Sequence, residues 1–269
     1  MKKSKNLRKI LLIVVAAIVI LVASLFSLWF HYANKYNLIK EYSYDGNKDV
    51  YILGTLGKHH FNRFNNYSFE NLCDAIDNIN PDLILITARQ DHYDLHSIID
   101  GDIDMCVAYA KCLQNNIPVN MVDWWMLDNI YPEEQTTNLR DDNIFIKICR
   151  IMKNIQPNTK VLIITGTKHF YELTPRFEVA GWKKLKIEDK GKIFKSNRGD
   201  GQSFEYPPLA SKIWRDRAYF YAYTFPNRIK NYESLCEQKK KKYLNADHSK
   251  FYRKQIKYCR YLIENKLYK

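Results

Sequence analysis

Apolar positions in this chain gather in one long run and then in several short ones. The long run, residues 10–30, holds 21 residues without a charge. At about 1.5 Å per residue, a helix of that length reaches the roughly 30 Å hydrocarbon core of a bilayer. Trp29 near its end suits the headgroup interface. The short runs are Val50-Tyr51-Ile52-Leu53, Leu83-Ile84-Leu85-Ile86, Ile117-Pro118-Val119-Asn120-Met121-Val122 and Val161-Leu162-Ile163-Ile164. Each reads as a buried strand, apolar along its length as in a sheet covered on both faces. Residues 182–187 read as a further strand.

Helical spacing fills the intervals. Leu72, Ala75, Ile76 and Ile79 share one face of a helix that starts near Ser68 and stops at Asn80-Pro81. Ser68 has Asn71 at the third position in place of Glu or Gln, so its capping box reads as incomplete. Residues 103–113 and 141–154 read as two more helices. Strands alternating with helices predict an α/β fold: a mostly parallel central sheet flanked by helices, with an N-terminal transmembrane helix and a basic helical C-terminal extension. The expected division is a cytosolic basic tail at 1–9, an anchor at 10–30 and a polar connector at 31–48. The α/β domain follows at 49–205, and the basic, aromatic extension packed on it at 206–269.

Charge sharpens this picture. The net charge is +13 over 269 residues, but the first nine residues supply +5 and the stretch from Asn227 onward +9, so the body between is close to neutral. A basic nucleic-acid-binding core is therefore excluded. The basic start of the chain places the N-terminus in the cytosol and the rest outside the cell membrane as a single-pass protein, with membrane lipid as its partner through residues 10–30. An exported body permits disulfides among its six cysteines. Cys73, Cys106 and Cys149 fall at apolar helix positions and read as buried thiols, whereas Cys236 and Cys259 flank a Lys-rich turn and could staple a terminal helix pair. The Lys run at 239–242 could touch anionic lipid near the anchor.

Ligands of parallel sheets sit beyond the C-terminal ends of the strands. Here those ends carry Gly54…His59-His60, Thr87-Ala88-Arg89, Asp123-Trp124-Trp125 and Gly166…His169. A strand–Gly-x-x-His pattern occurs twice, at Gly57-Lys58-His59-His60 and at Gly166-Thr167-Lys168-His169. Two imidazoles so placed, with a carboxylate, would suit a divalent metal that keeps an open position for water. His92 and His96 would share a helix face beside Asp91 and Asp94. Asp123 with its two tryptophans could line a cleft, and Arg89 and Arg140 could clamp a carboxylate or phosphate.

The succession Tyr-Ile-Leu-Gly-Thr, Pro-Asp-Leu-Ile-Leu-Ile, Ile-Pro-Val…Asp-Trp-Trp, Leu-Arg-Asp-Asp and Val-Leu-Ile-Ile-Thr-Gly-Thr-Lys-His resembles the TraB/PrgY/GumN (Tiki-like) family over about residues 50–184. The resemblance implies a metal-dependent hydrolase of peptide or ester bonds. It also implies two Gly-x-x-His motifs, a glutamate ending the second strand, and an arginine opening the helix before the last strand. Arg140 and His169 match in place. Strict register puts Gly57 at the first histidine position, so His59 or His60 serves only through a re-routed loop, and Thr87 stands where the family has its glutamate.

Two functions follow from these residues. In the first, His169 with His60 or His59 binds Mn, Co or Zn, Arg140 stabilises negative charge, and Asp91, Asp94 or Asp123 activates water. In the second, the Arg89/Arg140/Trp124 cleft of an inactive member binds or sequesters a peptide or small acidic ligand. The topology carries its own test: an alkaline-phosphatase fusion after Asp45 is expected to be active, and a silent fusion would reverse the placement.

Overall fold

A computed structural model describes residues 2–61, 65–124, 137–195, 205–225, 253–254, 256–261 and 264. Trp125, Cys236 and residues 239–242 lie outside them. Strands β1 (Ile39–Tyr44), β2 (Lys48–Thr55), β3 (Leu83–Ile86), β4 (Val119–Met121), β5 (Lys160–Gly166) and β6 (Lys183–Leu185) form one sheet in the order β4-β3-β5-β2-β1-β6. The β4, β3, β5 and β2 strands are mutually parallel, and β1 runs antiparallel to both β2 and β6. The sheet is thus mixed: its parallel half is the one the apolar runs foretold.

The central strand is β5. Val161, Leu162, Ile163 and Ile164 are all fully buried, as are Ile84, Leu85 and Ile86 on β3. Both faces of a doubly covered sheet take apolar side chains, which is why these strands do not alternate. Burying each such side chain contributes on the order of 1.5–3 kcal/mol. Covering helices are α2 (Phe69–Ile79), α4 (Ile103–Asn115), α5 (Thr137–Asn154) and α6 (Thr167–Val179). Ile144, Ile148 and Met152 face inward from α5, and Phe170, Leu173 and Phe177 from α6.

The connector expected over 31–48 is instead partly a strand. Ile39 and Tyr42 on β1 are buried, and the hairpin to β2 turns at Asp45 and Gly46, both at positive φ (52° and 72°). Asp-Gly is the residue pair such turns favour, because Gly accepts positive φ at no steric cost. Tyr42 packs edge-on to Phe177, and its hydroxyl donates to Glu178 at 3.1 Å. Trp182, just before β6, stacks on Phe177 with centroids 4.4 Å apart.

The start of α2 also differs from expectation. Ser68 Oγ accepts from the Asn71 amide at 3.3 Å, and Asn71 Oδ1 accepts from the Ser68 amide at 3.2 Å. The capping box is complete because a carboxamide oxygen accepts as a glutamate oxygen does. The same oxygen accepts from buried Lys35 at 3.2 Å, which ties the segment after the N-terminal helix to α2. At the other end Asn80 closes the helix in the left-handed region at φ 48°.

Helix α1 (Lys2–Tyr32) precedes the sheet, with Leu12, Ile13, Ile18, Ile20 and Phe26 exposed on it. Among the described residues no helix is long and apolar enough to cross a membrane; on α1 the described side chains begin at Leu12 and omit positions 25, 28 and 30. The last turn of α1 meets the domain, Trp29 edge-on to His59 (5.8 Å) and Tyr32 edge-on to Tyr171 (5.2 Å). Helices α3 (Gln90–His96), α7 (Lys190–Ile193) and α8 (Ala210–Tyr219) complete the body, and α8 continues into a π-turn at Phe220–Thr224 that packs with Ile98, Ile256 and Cys259.

Cys73, Cys106, Cys112, Cys149 and Cys259 are free thiols; all are buried, which fits apolar packing, except Cys149, which is only half-buried where its spacing predicts burial. The Ser68→Ala substitution is expected to lower stability by about 1 kcal/mol. Urea unfolding of the protein in detergent checks this, and an unchanged midpoint would mean that the box carries no weight.

Candidate active site

Parallel pairing of β2, β5, β3 and β4 brings four strand ends to one edge. The ladder continues past the strands: the Thr87 amide donates to the Ile164 carbonyl at 3.1 Å and the Asp123 amide to the Ala88 carbonyl at 3.0 Å. Beyond that edge lies a pocket of about 510 Å³, lined by Thr55, Thr87, Asp123 and Gly166 from the strand ends. The convergence expected from the sequence is therefore present. Trp29 and Tyr32 at the end of α1 line the same pocket, as do Asp102 and Asp104 at the start of α4 and Arg217 from α8.

The two Gly-x-x-His segments fold differently. Gly166 ends β5 and caps α6, so His169 stands in the first turn of that helix and lines the pocket. Its Nδ1 pairs with Asp141 Oδ1, a carboxylate with no exposed surface in the middle of the fold. A carboxylate acceptor fixes the proton on Nδ1 and leaves Nε2 as the basic nitrogen of the ring. The second oxygen of Asp141 has no hydrogen-bond partner among the described residues.

Gly57 opens a short 3-10 turn, Gly57–Phe61, at φ +57°. A Cβ there would lie 2.6 Å from Asp102 Oδ2, so the position needs glycine for both conformation and space. The turn sends its two histidines to different places. His59 is exposed and lines the pocket. His60 is fully buried; its Nε2 accepts from the Leu56 amide at 2.9 Å, and its Nδ1 donates to the Tyr67 carbonyl at 3.1 Å. With both ring nitrogens engaged, His60 holds the loop and is not available to a ligand.

Two arginines expected at the site are there, each matched to its own carboxylate. Arg140 on α5 donates to Asp123 in a fork, Nε to Oδ1 at 2.9 Å and Nη2 to Oδ2 at 2.5 Å. Burial would raise the Asp123 carboxyl, but the Arg140 charge and its hydrogen bonds prevail and hold it below the usual carboxylate range. Asp123 also caps the Trp124 amide at 2.7 Å, so it positions Arg140 and is not poised as a base. Arg89 donates from Nε to Asp100 Oδ2 at 2.5 Å, while its backbone amide donates to Oδ1 of the same residue at 2.8 Å.

The acids that sequence reasoning missed lie on α4. Asp102 caps that helix through the Ile103 amide at 2.8 Å. Asp104 is buried and accepts from the Gly57 amide at 2.8 Å and the Met105 amide at 2.9 Å. Desolvation, with the Asp102 charge beside it, pushes the Asp104 carboxyl up to about 6, against the pull of its hydrogen bonds. A buried acid in a pocket with its pKa moved toward neutrality is a candidate proton donor. The signal available beforehand was Asp-x-Asp directly ahead of an apolar helix.

Other expected groups do not reach the pocket. Asp91 and Asp94 are exposed on α3. His92 and His96 share a face as expected, with ring centroids 5.0 Å apart, but they pack against Phe220. Trp124 is half-buried and does not line the pocket. Thr87, where the family pattern has glutamate, donates its hydroxyl to Met105 Sδ at 3.6 Å. Among the described residues no group of three or more His, Cys, Asp or Glu side chains stands ready to hold a metal ion; the donors the resemblance implies do not assemble, since His60 is consumed and Thr87 offers no carboxylate.

Comparison of the chain with family models, with curated proteins and with solved structures gives no match.

The raised Asp104 carboxyl has a linkage consequence. Its native pKa of about 6 lies above the ordinary carboxylate value of 3.8, so the native state binds more protons between these values and stability falls as pH rises through that window. The full penalty, on the order of 3 kcal/mol, is present above about pH 6 and absent below the unfolded pKa. Unfolding of wild type and Asp104→Asn at pH 4 and pH 7.5 is expected to show this component in the wild type and to lose it in the variant. Parallel pH profiles would contradict the burial argument.

Proposed function

We propose that this protein is a membrane-anchored, extracytoplasmic hydrolase of peptide or ester bonds, a divergent relative of the TraB/GumN group. The observation that carries the reading is the His169–Asp141 pair at the rim of a pocket formed by the ends of four strands. An imidazole steadied by a buried carboxylate is a general base whose conjugate acid is stabilised as it forms. His169 Nε2 would take a proton from the attacking water. Arg140, held in place by Asp123, would face the negative charge developing on the carbonyl oxygen. Asp104, pushed up to about 6, would return a proton to the leaving group. None of these steps passes through a metal ion; divalent metal remains an open arm of the proposal, His59 and His169 being the two imidazoles that line the pocket.

Membrane anchoring rests on the uncharged 21-residue stretch, the basic residues before it and the apolar side chains exposed along α1. In this arrangement Trp29 and Tyr32 lie at the outer membrane surface, and the pocket opens beside the headgroups.

A second reading has its own support. Thr87 in place of a glutamate and the closed pairing of Arg140 with Asp123 suit a scaffold that holds a peptide or small acidic ligand without turning it over. One assay separates the two. Against a panel of p-nitrophenyl esters and quenched fluorescent peptides, the wild type is expected to turn over at least one substrate. His169→Ala should lower kcat about 10²–10⁴-fold and Asp141→Asn by less, and dialysis against EDTA should leave the rate unchanged. A rate indifferent to His169→Ala leaves only the binding reading, and a rate lost to EDTA and restored by Mn²⁺ or Zn²⁺ assigns the metal-assisted mechanism instead.

A further inference from the structure

The pocket contains three guanidinium groups, and they are not treated alike. Arg89 and Arg140 each face a carboxylate at 2.5 Å. Arg217, which comes from α8 in the C-terminal extension, is 4% exposed and lines the same pocket. Its Nη1 reaches only Cys259 Sγ at 3.9 Å, and its Nε has no hydrogen-bond partner among the described residues. Below the guanidinium lies the Tyr221 ring, 4.9 Å from Cζ to centroid. Asp102 is the carboxylate that attracts it most, but one Asp102 oxygen is committed to the α4 cap and no ion pair within 4.0 Å joins the two among the described residues. The attraction of Asp102 outweighs the cost of burial and keeps the guanidinium charged, but a buried cation whose N–H groups lack matched acceptors is costly. Folded proteins keep such a group where a ligand completes it.

We infer that Arg217 is the anion-recognition residue of this pocket, and that the ligand carries a carboxylate or phosphate group which the guanidinium grips. A planar guanidinium fork fits either oxyanion and does not fit a neutral amide or a sugar hydroxyl as well. The ring of Tyr221 fixes the plane of the fork, as stacked aromatic faces do. Specificity for the anion is thereby supplied by the C-terminal extension, whereas α4, α5 and α6 carry Asp104, Arg140 and His169. The inference rests on the pocket being a ligand site and holds for either reading of its function, hydrolytic or binding.

The test uses the full-length protein in phosphatidylcholine nanodiscs, with thermal unfolding midpoints read at matched ionic strength. Sodium phosphate, sodium acetate and sodium chloride are the soluble probes, and nanodiscs containing phosphatidylglycerol are the lipid arm. The wild-type midpoint is expected to rise with at least one oxyanion and not with chloride. A response to phosphate assigns a phosphate ligand in solution, a response to acetate alone a carboxylate, and a response to phosphatidylglycerol alone a lipid headgroup. Arg217→Gln should abolish the response and Arg217→Lys weaken it about tenfold; the lysine variant keeps the charge and serves where the glutamine variant does not fold. Arg215→Gln, on the exposed side of the same helix, should retain it. Because the readout is binding, it stands even if no substrate is hydrolysed. No oxyanion response in the wild type, or an equal response in Arg217→Lys and Arg217→Gln, overturns the inference.

Discussion

Parallel pairing of β5 with β2 on one side and β3 on the other is the constraint on which the rest of the molecule depends. Parallel strands put their C-terminal ends on the same edge, so Thr55, Thr87, Asp123 and Gly166 come together at one pocket. The contact that maintains this is burial of apolar side chains on both faces of β3 and β5. The polar groups at the edge are thus positioned by strands whose own side chains on β3 and the middle of β5 are apolar.

Charge at that edge is arranged in matched units. Arg140 is oriented by Asp123, Arg89 by Asp100, and the His169 imidazole by Asp141. Such pairs contribute little net stability once desolvation is counted, but they fix side-chain orientation. Among the described residues, Asp104 and Arg217 have no ion-pair partner, one an acid moved toward neutrality and one a guanidinium whose Nε lacks an acceptor. Local imperfection of this kind concentrates where chemistry or binding occurs.

Much of this was legible in the sequence because it depends on local periodicity. Four strand runs, the helices expected from near Ser68 to Asn80, at 103–113 and at 141–154, and the meeting of the strand tips follow from apolar spacing, the last two helices being two and four residues longer than expected. What escaped depends on pairing across the chain. β1 was hidden because Ile39–Tyr44 mixes Lys and Glu with aromatics at the edge of the apolar body, although Asp45-Gly46 marked its turn. His59 and His60 are adjacent, and only the 3-10 turn decides that one faces the pocket while the other is locked between Leu56 and Tyr67. Asn71 completing a capping box shows that acceptor geometry, not residue identity, is what the backbone amide requires. Arg217 could not be placed at the site because α8 lies outside the strand–helix alternation, and its position follows from packing of α8 on α4.

The central claim is that a buried Asp141 holds the His169 ring with its proton on Nδ1, so that Nε2 presents a lone pair to the pocket. Nitrogen-15 NMR of histidine-labelled protein at pH 8 reads this tautomer directly, with His169→Gln assigning the resonance. The account expects His169 in the Nδ1–H form in the wild type and a shift toward the Nε2–H form in Asp141→Asn. An Nε2–H ring in the wild type, unaffected by Asp141→Asn, would contradict it.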